Sequence, residues 1–162
     1  LGNPGDKYRL TRHNAGHLAF DAFAQQQDIT WQQTAEGQVA EGLLEGERVV
    51  LVKPAAAINH SGSTILRMLG SEELARVVLV HDDMDLEVGT MKVRRGGGDG
   101  GHLGVRSMIA AGQTQDFCRI RLGVRPPGDV RKSWQLVHQS LSEREQQQLV
   151  AAFEAGLQQL PV

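Results

Sequence analysis

The sequence predicts an α/β fold: a single domain in which helices flank a mixed, twisted β-sheet. Three observations predict this class. Short apolar runs rich in β-branched residues have the length of buried strands. Segments with the apolar spacing of amphipathic helices alternate with those runs along the chain. A tight-turn sequence joins two of the runs, which makes that pair antiparallel and the sheet mixed.

The composition limits the chain to one ordinary domain without a strong overall charge. With 162 residues, of which 40% are hydrophobic, the chain can bury one core, so we expect a single domain over 1–162. The net charge of −2 means that a nucleic-acid partner must be held by a local basic patch. The one cysteine, Cys118, forms no intramolecular disulfide, which suits a cytoplasmic location. No apolar run approaches the roughly 20 residues that cross a membrane.

The chain opens with the pattern of a strand that gives way to a helix. The residues LGNPG resemble the exit of a strand, and we expect the body of an N-terminal strand, truncated in this sequence, to precede Leu1. The segment HNAGHLAFDAFAQQQ then predicts an amphipathic helix, because Leu18, Ala19, Ala22 and Phe23 fall on one helical face.

Five further segments have strand patterns. In LLEGERVV, the residues Glu45-Gly46-Glu47 separate two apolar runs, which predicts a hairpin whose second strand covers 48–53. The run VVLV at 77–80 is continuously apolar, as in a strand buried on both faces. The segment GTMKVRR alternates weakly, and DFCRIRLGV alternates cleanly. One face of the latter has Cys118, Ile120, Leu122 and Val124, and the other has Phe117, Arg119 and Arg121.

Three more helices follow from their start and stop signals. The segment SGSTILRMLG ends at Gly70, a residue suited to a helix C-cap. A short helix is predicted from near Gly101 to about Ala111. The last helix begins after Ser142, which forms a capping box with Glu145 three residues later. Between these helices, VRPPGDVRK predicts a long mobile loop.

Two aspartates and a histidine suggest acid–base chemistry. Asp82 and Asp83 come directly after the run VVLV, and α/β sheets bind ligands beyond the carboxyl ends of their strands. They are either a solvated acidic turn or carboxylates of which one holds a histidine and steadies its protonated form. His13 and His17 lie one turn apart in the first predicted helix. Their spacing also fits half a metal site, but without HExxH or a dense ligand cluster we expect no metal. His13 is otherwise a helix-start histidine with no role.

An asparagine follows the second hairpin strand in a similar position. Asn59 is either a turn or cap amide, or a donor aimed at a carbonyl oxygen that becomes an oxyanion. No G-x-S-x-G nucleophile elbow is present, and Cys118 lies on the apolar side of its strand. We therefore expect catalysis through a histidine-activated water rather than through a covalent intermediate.

Glycines and basic residues dominate the segment VRRGGGDGGHLGVRS at 93–107. It is neither a P-loop nor a convincing dinucleotide fingerprint. Glycines let a backbone approach a partner closely, with N–H groups exposed to anions. The nearby basic residues form either a solvated face or a phosphate-backbone site. They are Lys92, Arg94, Arg95 and Arg106, with Arg119 and Arg121 as a second row. The 4% aromatic content gives little support for base stacking.

Four segments in order, from Leu1 to about Val124, together resemble the bacterial peptidyl-tRNA hydrolase family. They are LGNPGDKYRLTRHNAGH, KPAAAINHSG, VHDDMDLEVGTMKVRRGGGDGGHLGVRSMI and FCRIRLGV. The resemblance implies a phosphorylase/hydrolase-like fold and hydrolysis of the ester between a peptide and the 3′ ribose of tRNA, which recycles tRNA in translation. It also implies peptidyl-tRNA as the partner, no metal or other cofactor, no membrane, and a cytoplasmic monomer.

The resemblance also implies roles for individual residues. The catalytic ones are His13, Asp82, Asn3 and Asn59. The substrate-binding ones are Tyr8, Ile58, His102 and Leu103, and the tRNA phosphate-binding ones are Arg94, Arg95 and Arg121. In the implied mechanism His13 takes a proton from water, Asp82 steadies the imidazolium, and Asn59 holds the carbonyl oxygen of the ester.

This chain departs from the family pattern beside the implied catalytic pair. The family usually has asparagine where this chain has Leu103, and leucine offers no side-chain hydrogen bond. Ala57 and Ile58 replace an aromatic residue and a methionine, and His60 replaces a leucine. These changes leave two alternatives open: a catalytically weakened relative that binds tRNA, RNA or a protein partner, and a hydrolase of another acyl-nucleotide or small ester.

Overall fold

Six β-strands and five α-helices lie along residues 1–70 and 74–160, which are the residues that the computed structural model describes. The strands are β1 (Gln32–Gln33), β2 (Gly37–Leu44), β3 (Glu47–Pro54), β4 (Val78–Glu87), β5 (Met91–Arg95) and β6 (Cys118–Arg125). The α-helices are α1 (Ala15–Gln26), α2 (Ser61–Leu69), α3 (Leu103–Gly112), α4 (Ser133–Leu136) and α5 (Glu143–Leu157). Short 3₁₀ turns lie at Asp6–Tyr8, Arg12–Asn14, Ile58–His60 and Leu74–Arg76.

The strands form two sheets of three strands each. The first is antiparallel in the order β1-β2-β3, and the second has the order β4-β6-β5, with β4 parallel and β5 antiparallel to β6. The α/β class and the mixed sheet are therefore confirmed, but the antiparallel hairpin belongs to a sheet of its own. Residues of β3 and β4 line the same apolar cleft, so the two sheets lie on either side of it.

The predicted hairpin is confirmed as the β2–β3 pair. Its two turn residues, Glu45 and Gly46, both have positive φ angles, 52° and 86°. Such two-residue turns twist in the same sense as the strands that they join. Leu44 and Glu47 close the register directly beside the turn.

Helices cover both faces of the second sheet, so its central strand is buried on both sides. Ile120 and Leu122 of β6 pack in one apolar cluster with Phe153 of α5. A second cluster contains Leu79 of β4 and Met108 of α3. The predicted alternation of β6 is thereby confirmed, and Cys118 is buried as expected.

Asp82 and Asp83 lie in the middle of β4, and the prediction that they follow the strand is wrong. The ladder to β6 continues through the pairs Asp82↔Leu122 and Asp83↔Gly123 and ends at Glu87↔Arg125. A neighbouring strand that continues this far supplies backbone partners, so the polar residues keep extended geometry. Both carboxylates are buried rather than solvated.

His13 does not lie in α1. It occupies the 3₁₀ turn Arg12–Asn14 that precedes the helix, whereas His17 lies within α1 and is half-buried. The backbone N–H of His13 donates to the carbonyl of Val137 at 2.9 Å, and that of Arg12 donates to the carbonyl of Gln139 at 2.9 Å. Because these N–H groups are held by the segment after β6, the turn is fixed independently of α1.

The C-terminal elements follow the predicted signals. Ser142 accepts a hydrogen bond from the N–H of Glu145, whose carboxylate accepts one from the N–H of Ser142, so the capping box of α5 is confirmed. The Arg125 guanidinium donates to the carbonyls of Asp129 and Arg131 and ties the loop after β6 to its strand. None of the helices in the described ranges is long and apolar enough to cross a membrane.

Candidate active site

A buried aspartate in the middle of β4 lies between two histidines. The Nδ1 atom of His13 is 3.0 Å from each carboxylate oxygen of Asp82. The Nε2 atom of His102, the residue before α3, is 2.8 Å from Oδ1 of the same carboxylate. Asp82 is 2% exposed, while 15% of the His13 side chain reaches solvent. One carboxylate therefore orients two imidazoles, of which His13 is the more accessible.

The backbone of α3 fixes the proton on His102. Its Nδ1 accepts from the N–H groups of Gly104 and Val105, at 3.1 and 3.2 Å, as an N-cap side chain does. A nitrogen that accepts carries no proton, so the proton of the neutral ring is on Nε2 and points at Asp82. His102 is therefore a hydrogen-bond donor to the carboxylate and not a base.

The surroundings of Asp82 keep its carboxyl group ionised. Burial by itself raises the pKa of a carboxyl group, but His102 and His13 outweigh it and hold the Asp82 pKa well below its usual range. An ionised carboxylate at Nδ1 of His13 keeps that nitrogen protonated. The opposite nitrogen of His13, Nε2, is then free to accept a proton from water.

Three side chains of this cluster offer ligand atoms within 4.8 Å of one another. They are His13, Asp82 and His102, and their burial is mixed. A histidine binds a metal through an unprotonated nitrogen, whereas Nδ1 of His102 is occupied by two N–H donors and Nε2 holds the proton. The donor set therefore does not fit a cation.

Other histidines surround this cluster. The ring of His81, directly before Asp82, meets the His102 ring edge-on with centroids 4.9 Å apart. Burial lowers the pKa of His81 to about 3, so that ring is neutral near pH 7, and its Nδ1 donates to the carbonyl of Asp82 at 2.7 Å. On the open side, the exposed His138 meets the edge of His13 with centroids 6.2 Å apart.

Asn3 connects the His13 turn to the turn that contains Asn59. Its N–H donates to Oδ1 of Asn14, and the Asn14 amide donates back to the carbonyl of Asn3, both at 2.8 Å. The side-chain oxygen of Asn3 accepts from the N–H of Ile58 at 2.8 Å. Asn59 itself is exposed, and its amide has no hydrogen bond within the described ranges. The backbone around Asn59 is thus fixed while its amide is available to a substrate.

The side chains expected to bind the substrate differ in their placement. Ile58 is only 5% exposed and packs in the apolar cluster with Met108, so its side chain belongs to the core and not to an open cleft. His102 is turned to Asp82. Leu103, the first residue of α3, is 49% exposed beside the histidine cluster. Tyr8 is half-buried, and its ring lies under Lys7.

A buried arginine supports the glycine-rich segment from inside. Arg119 is 4% exposed, and its guanidinium donates to the carbonyls of Gly96, Gly97 and Gly98. Gly96 and Gly97 have φ angles of 72° and 90°, in the region that favours glycine. Arg119 therefore positions the loop, and the interpretation that it belongs to a row of phosphate-binding residues is wrong.

The other predicted basic residues also differ in the charge that they can offer. Arg95 pairs with Asp116 at 2.7 Å, and Arg121 pairs with Asp83 at 2.6 Å. Arg94 is exposed and has no carboxylate partner in the described part of the chain, and the same holds for Lys92. Lys92 lies opposite Arg121 and Arg94 lies opposite Arg119 across the β5–β6 ladder, so these side chains share one face of the sheet. Uncompensated positive charge is thus concentrated at Lys92 and Arg94.

An α/β fold that holds a partly exposed histidine against a buried carboxylate has the groups that a hydrolase using general-base catalysis needs. The chain belongs to the peptidyl-tRNA hydrolase family, since the sequence profile of the family described as Peptidyl-tRNA hydrolase matches residues 1–162. The resemblance of the four segments is thereby confirmed. Members of this family are ester hydrolases that act on peptidyl-tRNA.

Relatives and solved structures agree with this assignment. The chain is 38% identical to the peptidyl-tRNA hydrolase of Marinobacter nauticus over 165 aligned residues, which cover 99% of the chain and 84% of the relative. It is 43% identical to that of Rubrobacter xylanophilus over 128 residues, which cover 78% and 72%. The fold matches the crystal structure of the Acinetobacter baumannii peptidyl-tRNA hydrolase with a TM-score of 0.83 at 30% identity, covering 97% of this chain and 82% of the other.

Sequence reasoning missed part of the site. Asn14 lies directly after His13 in the segment TRHN. Its side chain bonds the backbone of Asn3, 11 residues earlier, and no sequence periodicity predicts such a contact. His81 directly precedes Asp82, and its burial depends on helices from distant parts of the chain. His138 lies outside every motif, so no local signal connects it to His13.

Proposed function

We propose that this chain hydrolyses the ester bond between a peptide and the 3′ ribose of tRNA. The single observation that carries the proposal is the His13–Asp82 contact at 3.0 Å, with His102 holding the same carboxylate. The substitution at Leu103 leaves this arrangement intact, which favours an active hydrolase over a relative that only binds RNA or a protein.

His13 is the general base of the proposed reaction. Asp82 binds its Nδ1, so Nε2 takes a proton from water as the water oxygen attacks the ester carbonyl. Asp82 then stabilises the imidazolium that forms. Positioned general-base help contributes about 10²–10⁴ in rate, which is sufficient for an ester because esters are already reactive.

Asn59 is the proposed donor to the carbonyl oxygen. Its amide is exposed and uncommitted, and its turn is held through the bond between Asn3 and the N–H of Ile58. A donor fixed in this way before the reaction stabilises the oxyanion without reorganising, and one such donor contributes about 10²–10³ in rate. Asn3 then acts as a positioning residue for both turns.

The tRNA phosphates bind on the face of β5 and β6 in this proposal. Arg94 and Lys92 supply charge that no carboxylate of the described residues neutralises, and Arg121 contributes less because Asp83 pairs with it. Arg95 contributes little because it is held by Asp116. Contacts of this kind supply affinity and salt dependence without reading sequence. The buried single cysteine is compatible with a cytoplasmic site of action.

A single-turnover assay on a defined N-acetylaminoacyl-tRNA tests the proposal. We expect the protein to release free tRNA, and His13→Ala to abolish the release while leaving tRNA binding intact. The absence of turnover by the parent protein at enzyme concentrations far above the substrate would refute the proposal.

A further inference from the structure

His138 is the one imidazole near His13 that has no structural task in the described part of the chain. Its ring is exposed and forms no hydrogen bond or ion pair in residues 1–70 and 74–160, whereas His81 and His102 are both hydrogen-bonded. The contact that it does make is edge-on to His13, with centroids 6.2 Å apart and rings at 84°. Packing and stability therefore do not account for this side chain.

The backbone holds His138 at a fixed place relative to the proposed base. The carbonyls on either side of it, those of Val137 and Gln139, accept the N–H groups of His13 and Arg12, each at 2.9 Å. A bridge between Thr11 and Ser140 continues the same antiparallel contact. These bonds fix the backbone of His138 relative to that of His13, so the two side chains project from adjacent, fixed positions.

The direction of the His13 ring decides where the attacking water binds. Since Asp82 occupies Nδ1 of His13, the attacking water lies on the Nε2 side, away from the buried carboxylate. In the tetrahedral intermediate, the attacking oxygen and the leaving ribose oxygen are bonded to the same carbon. An acid and a base each act from about 3 Å on one of these two oxygens. Two imidazole rings with centroids 6.2 Å apart have a suitable separation for this.

We propose that His138 is a second catalytic residue, which protonates the leaving ribose oxygen while His13 deprotonates the attacking water. This inference rests on the proposed function. The water oxygen bonds to the carbonyl carbon, and its proton passes to Nε2 of His13. When the carbon–oxygen bond to the ribose breaks, the electron pair stays on the ribose oxygen, which takes a proton from the His138 imidazolium. The proton on His13 then passes to His138 through solvent, and both rings regain their starting states.

The surroundings of His138 suit this division of labour. Imidazole is the side chain that exchanges protons most readily between pH 5 and 8, and the exposed ring is in direct contact with solvent. The titratable groups that face it are His13 and, behind that ring, Asp82 and His102. Arg12, on the same turn as His13, is committed to Glu145 of α5 at 2.9 Å. His13 has the carboxylate and His138 has none, which favours the first as base and the second as acid.

Single-turnover rates at saturating enzyme separate this role from tRNA binding. His138→Gln and His138→Ala should lower the rate about 10- to 100-fold, less than loss of the base because solvent can supply the proton slowly. The dissociation constant for tRNA should stay within twofold, and Gln139→Ala is the matched neighbour that should leave the rate unchanged. General-acid catalysis makes the parent rate fall at high pH, and this fall should be absent from the variants.

Chemical rescue separates catalysis from a structural role, because added imidazole can replace a missing proton donor but not a missing packing contact. Added imidazole should restore part of the rate of His138→Ala and have no effect on the parent. If the parent is active and the His138 variants have the same rate, or differ only in weaker tRNA affinity, this inference is overturned and the proposed function stands. A parent that does not turn over refutes the proposed function itself.

Discussion

The Nε2 atom of His102 lies 2.8 Å from Oδ1 of Asp82. Because Nδ1 of His102 accepts from two backbone N–H groups, Nε2 carries the proton and donates to the carboxylate. The start of α3 is thereby coupled to the carboxylate that orients His13. The glycine-rich segment before α3 has two tasks: it carries the chain past Arg119 with positive φ angles, and it delivers His102 to Asp82.

Substitutions of His102 should separate its capping task from its contact with Asp82. His102→Asn retains an oxygen that can cap α3 but is too short to reach the carboxylate, whereas His102→Ala loses both contacts. We expect both variants to lose about 10- to 100-fold in rate, because a hydrogen bond to a charged group is worth about 1.5–3 kcal/mol. His102→Ala should lose about 1 kcal/mol more of the free energy of unfolding than His102→Asn, because it also lacks the cap. A fully active His102→Asn would show that the contact with Asp82 is dispensable.

Replacing Leu103 with a hydrogen-bonding residue should improve the contact with the substrate. Its side chain is 49% exposed beside the histidine cluster and offers no hydrogen bond. Leu103→Asn should raise the single-turnover rate up to about fivefold, the value of one added hydrogen bond of about 1 kcal/mol. Leu103→Ala is the control, since it removes the same apolar group without adding an amide. Equal rates for the two variants would mean that the substrate does not reach this position.

Arg94 and Arg95 are adjacent but should behave differently toward tRNA. Arg94→Ala removes an uncompensated charge, so the dependence of log affinity on log salt should become shallower by about one unit. Arg95→Ala removes a charge that Asp116 already neutralises, and its salt slope should stay near that of the parent. Binding titrations of deacylated tRNA at several salt concentrations measure both slopes. Identical slopes for both variants would place the phosphate contacts elsewhere.

Arg119 should be needed for stability rather than for tRNA affinity. Arg119→Met keeps much of the buried stem and removes the donors to the carbonyls of Gly96, Gly97 and Gly98. Leaving such acceptors without partners costs about 1–3 kcal/mol, which urea unfolding measures. The exposed neighbour Arg94→Met serves as the control and should be nearly neutral. An unchanged free energy of unfolding for Arg119→Met would mean that the hydrogen bonds from Arg119 to the glycine carbonyls do not stabilise the fold.

Asp82 should contribute to stability in an acid-dependent way. Its pKa is depressed in the folded protein, so its contribution is present above the pKa of the unfolded carboxyl, about 3.8, and is lost as the pH falls toward the folded value. The parent should therefore lose unfolding free energy between about pH 5 and pH 3 more steeply than Asp82→Asn does. Urea unfolding at several pH values measures this difference, and parallel curves would mean that the Asp82 pKa is not depressed.

The sequence alone determined the elements and the family. The hairpin at Glu45-Gly46, the C-cap at Gly70 and the capping box of Ser142 and Glu145 depend on residues a few positions apart, so local patterns were sufficient to predict them. The same holds for the long motifs that carry the family resemblance. Motif order also selected His13 and Asp82 as a pair, and the structure places them in contact.

Only the tertiary structure decided what each charged or polar side chain faces. Arg119 and Arg121 alternate along one strand with the same chemistry, yet one is buried under the glycine segment and the other is paired with Asp83. Ile58 lies in the core although it precedes an exposed asparagine, and His138 reaches His13 from 125 positions away along the chain. Burial and pairing are set by segments that are remote in sequence, and so no pattern read along the chain contains them.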